Sequence, residues 1–142
     1  MTALTIVPAN VRPLLGAVTR PYTAGEAMGV GKPVYMKSDG LVWLTDADAA
    51  ASAKVLGVVV AVSGYGALVA AAGDQVDVTL AGPITGYSGM TPGADAFVSA
   101  TAGELQDAAP AGASGDYLYN IGYALSATNF LVRPTTTDTA AQ

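Results

Sequence analysis

Turn-forming residues interrupt this chain so often that no long regular element can form. Gly and Pro together account for 25 of the 142 residues, well above their usual share of roughly 12%. Short apolar runs rich in Val, Ile and Leu lie between them, a pattern typical of strands joined by tight turns. The sequence therefore predicts an all-β chain, folded as a single barrel or sandwich of short antiparallel strands.

The clearest hairpin signal is Asp39-Gly40, which lies between apolar residues 34–37 and 42–44. Asp-Gly favours a tight turn because Gly tolerates a positive φ. Residues 46–54 are the only segment with helical character, and we predict one or two turns with Asp46 or Asp48 as N-cap. The other predicted strands are residues 55–62, 75–80, 96–99, 117–125 and 129–132.

The composition changes along the chain and predicts three parts: an extended N-terminal arm (residues 1–21), a β domain (22–133) and a flexible C-terminal tail (134–142). Pro8, Pro13 and Pro21 prevent a continuous helix in the arm. Its apolar side chains must therefore pack on the domain's own surface, as an ordinary first strand would, or on another chain. We favour another chain, and the candidate partner-binding residues are Leu4, Ile6, Val7, Val11, Arg12, Leu14, Leu15 and Arg20.

The domain also shows a weak internal similarity at an offset of about 62 residues. Tyr35 aligns with Phe97, and Gly57 aligns with Gly122 after a small slip. Two similar meanders closed against each other would explain the similarity. Coincidence in a chain rich in Ala, Gly and Val is the alternative.

The charged residues exclude several classes of function. The chain has no His and no Cys, so Cys/His metal sites, His-based triads, thiol nucleophiles and disulfides are impossible. The net charge is −5 and no two basic residues are adjacent, whereas duplex nucleic acid requires clustered bases. Residues 1–25 nevertheless carry +2 and the remainder carries −7. This asymmetry indicates an acidic partner surface for the arm, or else chance in a chain with few charges. We predict no nucleic-acid partner and no cofactor.

Weaker signals leave alternatives open. The charge-free residues 55–73 are long enough to span a bilayer, but their glycines favour two strands, and we predict no membrane partner. The pairs Asp46/Asp48 and Asp74/Asp77 are more typical of turns than of a cation site. Glu26 and Glu104 leave open a carboxylate-pair hydrolase. Three aromatic residues are expected either to pack within the fold or to form a surface patch that contacts a partner or stacks on sugar rings. They are Trp43, Tyr117 and Tyr119.

Several short segments, in this order, resemble the capsid decoration (cement) proteins of tailed bacteriophages. The resemblance covers most of residues 22–133, and its motifs are short and consist mostly of turn chemistry. The segments are Ala24-Gly25-Glu26, Gly31-Lys32-Pro33-Val34-Tyr35, Asp39-Gly40-Leu41-Val42, Leu56-Gly57-Val58-Val59, residues 78–82, Gly103-Glu104-Leu105 and residues 121–128.

The resemblance implies a jelly-roll or β-tulip-like barrel or sandwich. It also implies a non-enzymatic structural virion protein on the outer capsid surface, assembled in the host cytoplasm. Such a protein would bind the major capsid protein and itself, as a homodimer or homotrimer, and staple neighbouring capsid subunits together. The arm shows no motif of that family. The alternative is a carbohydrate-binding β module of a phage fibre or adhesin. The sequence does not distinguish dimer from trimer, and it identifies neither the capsid symmetry axis nor the host.

Overall fold

The structure, a computed structural model, describes residues 3–62, 67–99, 101–107 and 119–134. Over these residues the chain consists almost entirely of antiparallel strands, and the main sheet curls into a half-barrel. The predicted all-β class is thereby confirmed. The strands are β1 (Thr5–Ile6), β2 (Arg12–Pro13), β3 (Val18–Thr23), β4 (Met28–Gly29), β5 (Pro33–Met36), β6 (Val42–Leu44), β7 (Gly57–Val62), β8 (Val69–Ala70), β9 (Gln75–Thr85), β10 (Tyr87–Ser88), β11 (Asp95–Val98), β12 (Leu105–Gln106), β13 (Asn120–Ala124) and β14 (Asn129–Val132).

The predicted hairpin forms between β5 and β6, where Tyr35 lies opposite Trp43. Its turn is held by the Asp39 carboxylate, which accepts the backbone N–H of Leu41 at 2.9 Å. Strand β9 is longer than predicted and ends at Thr85 rather than at residue 80. Residues 117 and 118 of the predicted strand 117–125 lie outside the described residues.

The predicted helix cap is wrong. Helix α1 spans only Ala50–Ala53, a single turn, and its N-cap is Ala49, which makes no side-chain capping bond. The Asp46 carboxylate instead accepts the backbone N–H of Asp48 at 3.1 Å. An Asx turn before the helix therefore uses the acceptor that would have capped it.

Strand β9 organises the sheet because other strands pair along both of its edges. One edge carries β2 and β3 in succession, and the other edge carries β7 along the first half and β14 along the second. The main path of the sheet is β12-β11-β13-β14-β9-β7-β5-β6. Strand β9 therefore joins two smaller groups of strands into one sheet.

Those two groups have the same topology. In the first unit the order is β6-β5-β7-β9, and in the second it is β12-β11-β13-β14, antiparallel throughout. Strands β5 and β11 begin 62 residues apart, at Pro33 and Asp95. The weak internal similarity thus corresponds to two units with the same strand order. They are not simple meanders, because β5 lies between β6 and β7, and β11 lies between β12 and β13. The long strand β9 closes the first unit and leads into the second.

Equivalent glycines occupy equivalent places in the two units. A Cβ at Gly57 would overlap the carbonyl oxygen of Thr79 on β9, and a Cβ at Gly122 would overlap that of Leu131 on β14. These are the two aligned glycines of the sequence comparison. Each is required because the last strand of its unit passes where a side chain would start.

Two apolar cores lie on opposite faces of β7. Val58 and Val60 belong to the larger core, around Ile84, Tyr87 and Phe130, and Val59 belongs to the smaller core. Strand β9 contributes to both, because Val76 and Val78 face the smaller core and Ile84 faces the larger one. The two units therefore do not have independent interiors.

The charge-free stretch 55–73 contains strands β7 and β8, and its residues 63–66 lie outside the described part of the chain. Among the described residues, no helix has the length and apolar character needed to cross a bilayer.

Candidate partner-binding surface

The N-terminal arm runs along an edge of its own chain's sheet. Strand β1 pairs with β10, and β2 and β3 pair with β9. Between these strands, the N–H of Leu4 donates to the Leu105 carbonyl at 2.8 Å and the N–H of Val7 to the Gly86 carbonyl at 2.7 Å. The described part of the arm therefore satisfies much of its backbone hydrogen bonding within the chain.

Glycines along the sheet let the arm approach closely. A Cβ at Gly82 would lie 2.6 Å from the Cα of Ala17, and one at Gly31 would lie 2.7 Å from Cγ2 of Ile6. At Gly86 a Cβ would meet the Cα of Val11. We call Gly31, Gly82 and Gly86 the glycine track. It shows that the sheet is shaped to receive this arm.

The structure divides the eight predicted arm residues into three groups. Leu4, Ile6 and Val11 pack partly buried against the larger core. These three therefore pack on the chain's own surface, which is the alternative to the favoured packing on another chain, and Val7 and Leu14 are half-buried. The exposed group is Arg12, Leu15 and Arg20. Whether any of the eight binds a partner stays a prediction.

Leu15 is held away from the sheet by a bulge. Pro13 pairs with Ile84 and Val18 with Ala81, so residues 14–17 of the arm lie opposite only two residues of β9. The N–H of Ala17 donates to the Leu14 carbonyl at 3.1 Å and closes the bulge. Its tip, the Leu15 side chain, is fully exposed. Bulges of this kind re-aim side chains and are common at functional edges.

We call the exposed side chains Arg12, Leu15, Val18 and Arg20 the arm surface. Among the described strands, none pairs with the outer edge of β2 or β3. Pro13 and Pro21 lie in these strands, and prolines lack the N–H that an added strand would need. The arm surface is therefore suited to contacts through side chains rather than to strand addition.

The arm surface is the basic part of an acidic protein. Arg20 donates to the neighbouring Thr19 carbonyl at 3.3 Å. Within the described residues, neither Arg12 nor Arg20 has a carboxylate partner. The arm therefore carries two exposed guanidinium groups and the exposed apolar side chains of Leu15 and Val18.

A small cleft lies beside the start of the arm, between β1 and the segment that joins β10 to β11. Its volume is about 130 Å³. Met90, Ala96 and Phe130 contribute an apolar floor, and the exposed carboxylates Asp95 and Asp107 line its rim. Neither Glu26 nor Glu104, the predicted carboxylate pair, lines this cleft.

The aromatic residues are mostly structural. Tyr119 is buried, and Tyr117 lies outside the described residues. Tyr87 is buried against Phe130, and its hydroxyl donates to the Gly31 carbonyl at 2.8 Å. Burial raises the pKa of that hydroxyl well above its usual value.

Tyr35 and Trp43 form a half-buried aromatic pair on the outer face of the β5–β6 hairpin. Burial, and then the nearby carboxylates of Glu26, Asp39 and Asp46, raise the pKa of Tyr35. The Lys37 ammonium lies 4.2 Å from the centroid of the Trp43 ring, and the indole N–H donates to Asp39 at 3.2 Å. One face of the indole is therefore already occupied.

The carboxylates proposed as cation ligands make turn contacts. Asp74 accepts the N–H of Ala71 at 2.9 Å, and Asp46 accepts that of Asp48. Among the described residues, no group of three Asp or Glu side chains converges as a metal site would require. Glu26 accepts the backbone N–H of Leu44 at 3.0 Å.

Sequence reasoning did not show how the predicted arm is held. The glycine track, the Leu15 bulge and the cleft all depend on which strands become neighbours. The available signal was an isolated glycine beside a strand, such as Gly82 or Gly86, which indicates close backbone approach. In comparisons with known proteins, no family model and no curated protein matches this sequence.

Proposed function

We propose that this protein is a structural virion protein that binds the outer surface of a tailed-phage capsid and staples neighbouring major capsid subunits together. The observation that supports this most directly is the arm surface, an edge that combines exposed apolar area with two exposed arginines, for which the described residues offer no carboxylate partner. The order of the short segments that resemble decoration proteins supplies the particular partner.

An exposed leucine on an ordered bulge indicates a surface that becomes buried in an assembly. Full burial of such a side chain contributes about 1.5–3 kcal/mol. The bulge fixes the direction of Leu15 in advance, which lowers the ordering cost of binding. The flanking Arg12 and Arg20 are suited to an acidic surface on the partner, which they would also help to find by electrostatic steering.

Stapling does not require each contact to be strong. A copy that touches one capsid subunit binds with moderate affinity, because association itself costs several kcal/mol. An oligomer that touches two or three subunits gains roughly 100-fold or more from effective concentration. A non-catalytic protein with several modest contact surfaces is therefore sufficient for this function.

The Tyr35–Trp43 pair favours the second candidate function, a carbohydrate-binding module. Exposed aromatic faces stack on sugar rings, and nearby carboxylates can accept sugar hydroxyls. Lys37 covers one face of the indole, however, and this reduces the area available for stacking. Binding of the isolated protein to a glycan array, abolished by Tyr35→Ala, would support this alternative over the capsid function.

The test of the capsid function uses charge reversal on the arm. Arg12→Glu and Arg20→Glu, alone and combined, are mixed with undecorated capsids of the phage, and occupancy is measured by cosedimentation and electron microscopy. We expect each single variant to lower the occupancy and the double variant to abolish it, because these charges face the partner.

Lys54→Glu is the matched control, since it reverses an exposed base outside the arm and alters the net charge as much as either single variant. It should decorate capsids like the unaltered protein. Full occupancy by the double variant, with folding verified by circular dichroism, would contradict the proposed role of the arm surface.

A further inference from the structure

We propose that the sequence and the fold together make this protein resistant to proteases that cleave after Lys or Arg. The proposal concerns the peptide bonds that follow the basic residues, not the charges of their side chains, and it does not depend on the proposed function. Two kinds of protection support it: a proline after most of the bases, and the folded geometry around the others.

Proline follows four of the six basic residues. Pro makes up 8 of the 142 residues, so chance would place it after fewer than one of six bases. The chain nevertheless contains the pairs Arg12-Pro13, Arg20-Pro21, Lys32-Pro33 and Arg133-Pro134. Only the bonds after Lys37 and Lys54 lack such a proline.

A proline after the base blocks these proteases at the reacting bond. A serine protease of this specificity holds the basic side chain in an acidic pocket, attacks the carbonyl carbon of that residue and protonates the leaving nitrogen. In a base–Pro bond that nitrogen belongs to the pyrrolidine ring, whose Cδ crowds the catalytic groups and restricts the preceding residue. The bond therefore stays uncleaved even where the chain is exposed.

Three of these prolines lie where the fold itself offers little protection. Arg12 and Arg20 are exposed on the edge strands β2 and β3, and Arg133 is exposed directly after β14. An exposed, extended edge has the backbone shape that a protease cleft accepts, because an extended peptide binds there as an added strand. At these places proline protects a bond that the tertiary structure leaves accessible.

The bond after Lys37 lies in the tight turn of the β5–β6 hairpin. The Lys37 N–H donates to the Leu41 carbonyl at 3.0 Å, and the Lys37 carbonyl accepts the Gly40 N–H at 3.0 Å. The Lys37 ammonium lies 4.2 Å from the centroid of the Trp43 ring. Until these contacts break, the turn cannot extend into a protease cleft and the side chain cannot enter the acidic pocket.

The bond after Lys54 is protected by its neighbours. The Lys54 side chain is exposed, but Ala53 before it and Val55 after it are buried in the larger core. The next backbone N–H, that of Leu56, donates to the Val34 carbonyl at 2.8 Å. Since a protease needs several consecutive residues extended in its cleft, this bond is cleaved only when the core opens.

The test is limited digestion of the purified protein with trypsin, measured as the loss of the intact chain and as fragment masses. We expect the folded protein to stay intact. Unfolded in urea, it should give only three fragments, residues 1–37, 38–54 and 55–142. Chymotrypsin, which cleaves after aromatic and other large apolar side chains, measures the general opening of the same samples.

Two variants separate the effect of proline from a loosening of the arm. Pro21→Ala creates a cleavable bond after Arg20, whereas Pro8→Ala is the matched control, because it alters the same arm but follows Val7 and creates no such bond. Both are digested in buffer and in urea just below the unfolding transition, where cleavage follows the population of opened chains. We expect trypsin to cut only Pro21→Ala, into residues 1–20 and 21–142, and chymotrypsin to cut both variants equally.

Each kind of protection can fail by itself. Rapid tryptic cleavage of the folded, unaltered protein after Lys37 or Lys54 would overturn the protection by the fold. Cleavage of the unfolded chain at a base–Pro bond, or equal tryptic loss of the Pro21→Ala and Pro8→Ala variants, would overturn the protection by proline. If Pro21→Ala fails to fold by circular dichroism, Pro13→Ala, which creates a cleavable bond after Arg12, replaces it.

Discussion

At the scale of single residues, glycines position the arm, because they carry no side chain where its backbone passes. Gly82 and Gly86 each lie where a Cβ would collide with the arm backbone, at Ala17 and Val11 respectively. Tyr87 adds a polar contact across 56 residues of sequence, because its buried hydroxyl bonds the carbonyl of Gly31. A few residues in and beside the sheet therefore determine where the arm lies and how firmly it is held.

We predict that Gly86→Ala releases the arm. Its φ of +117° strains any side chain, and the new Cβ would collide with Val11, so the variant should lose about 2–4 kcal/mol of unfolding free energy. Gly89→Ala is the control, because its φ is +71° with nothing within 4 Å, and it should lose about 1–2 kcal/mol. Urea unfolding measures both losses, and equal losses would show that the contact with Val11 is unimportant.

At the scale of secondary-structure elements, the arm behaves as an edge strand with a projecting bulge. Its backbone is paired along β9, whereas its outward side chains are exposed. Thr19 lies opposite Thr79, and their hydroxyl oxygens are 3.1 Å apart. Cysteines at these two positions can test whether the arm pairs with the sheet of its own chain or with that of a neighbouring copy. The chain has no cysteine of its own that could interfere.

We predict that Thr19→Cys combined with Thr79→Cys forms a disulfide within one chain on mild oxidation. Cross-strand partners have the Cα separation that a disulfide needs, and closing this loop should stabilise the fold by about 2–4 kcal/mol. Non-reducing gel electrophoresis and thermal melting measure the two effects. Thr19→Cys alone is the control. Disulfide-linked dimers of the double variant would mean that the arm lies on a neighbouring copy.

At the scale of the whole molecule, the two units share one sheet and a common apolar core. Strand β9 of the first unit pairs with β14 of the second, and β7 is covered on its two faces by the two cores. A unit separated from the other would expose Val58 and Val60, which are buried in the intact chain. The repeated topology therefore does not create two independent domains, and the chain should unfold as one cooperative structure.

We predict that Phe130→Ala, in the core of the second unit, destabilises the first unit equally. Removing this buried ring should cost about 3–5 kcal/mol. Trp43 is the only tryptophan and lies in the first unit, so its fluorescence reports that unit alone. The fluorescence and far-ultraviolet circular dichroism transitions should shift together in urea. Two separate transitions would show that the units unfold independently.

Local chemistry made part of this structure predictable. Asp39-Gly40 between apolar runs predicted the β5–β6 hairpin, because a tight turn depends on neighbouring residues alone. The alternation of Val76 and Val78 with polar residues predicted the first half of β9 for the same reason. The predicted helix cap failed because the helix begins only at Ala50, with Ala49 as its N-cap, and the Asp46 carboxylate accepts the N–H of Asp48 instead.

The sequence by itself determined the all-β class, the main turns, the repeated pattern of strands and the contrast between a basic arm and an acidic domain, since each of these depends on residue type and local spacing. Only the tertiary structure decided that the arm lies along β9, that Leu15 projects from a bulge and that a cleft opens beside Asp95. These features depend on contacts between residues far apart in the chain, whose geometry is fixed only when the strands have found their neighbours.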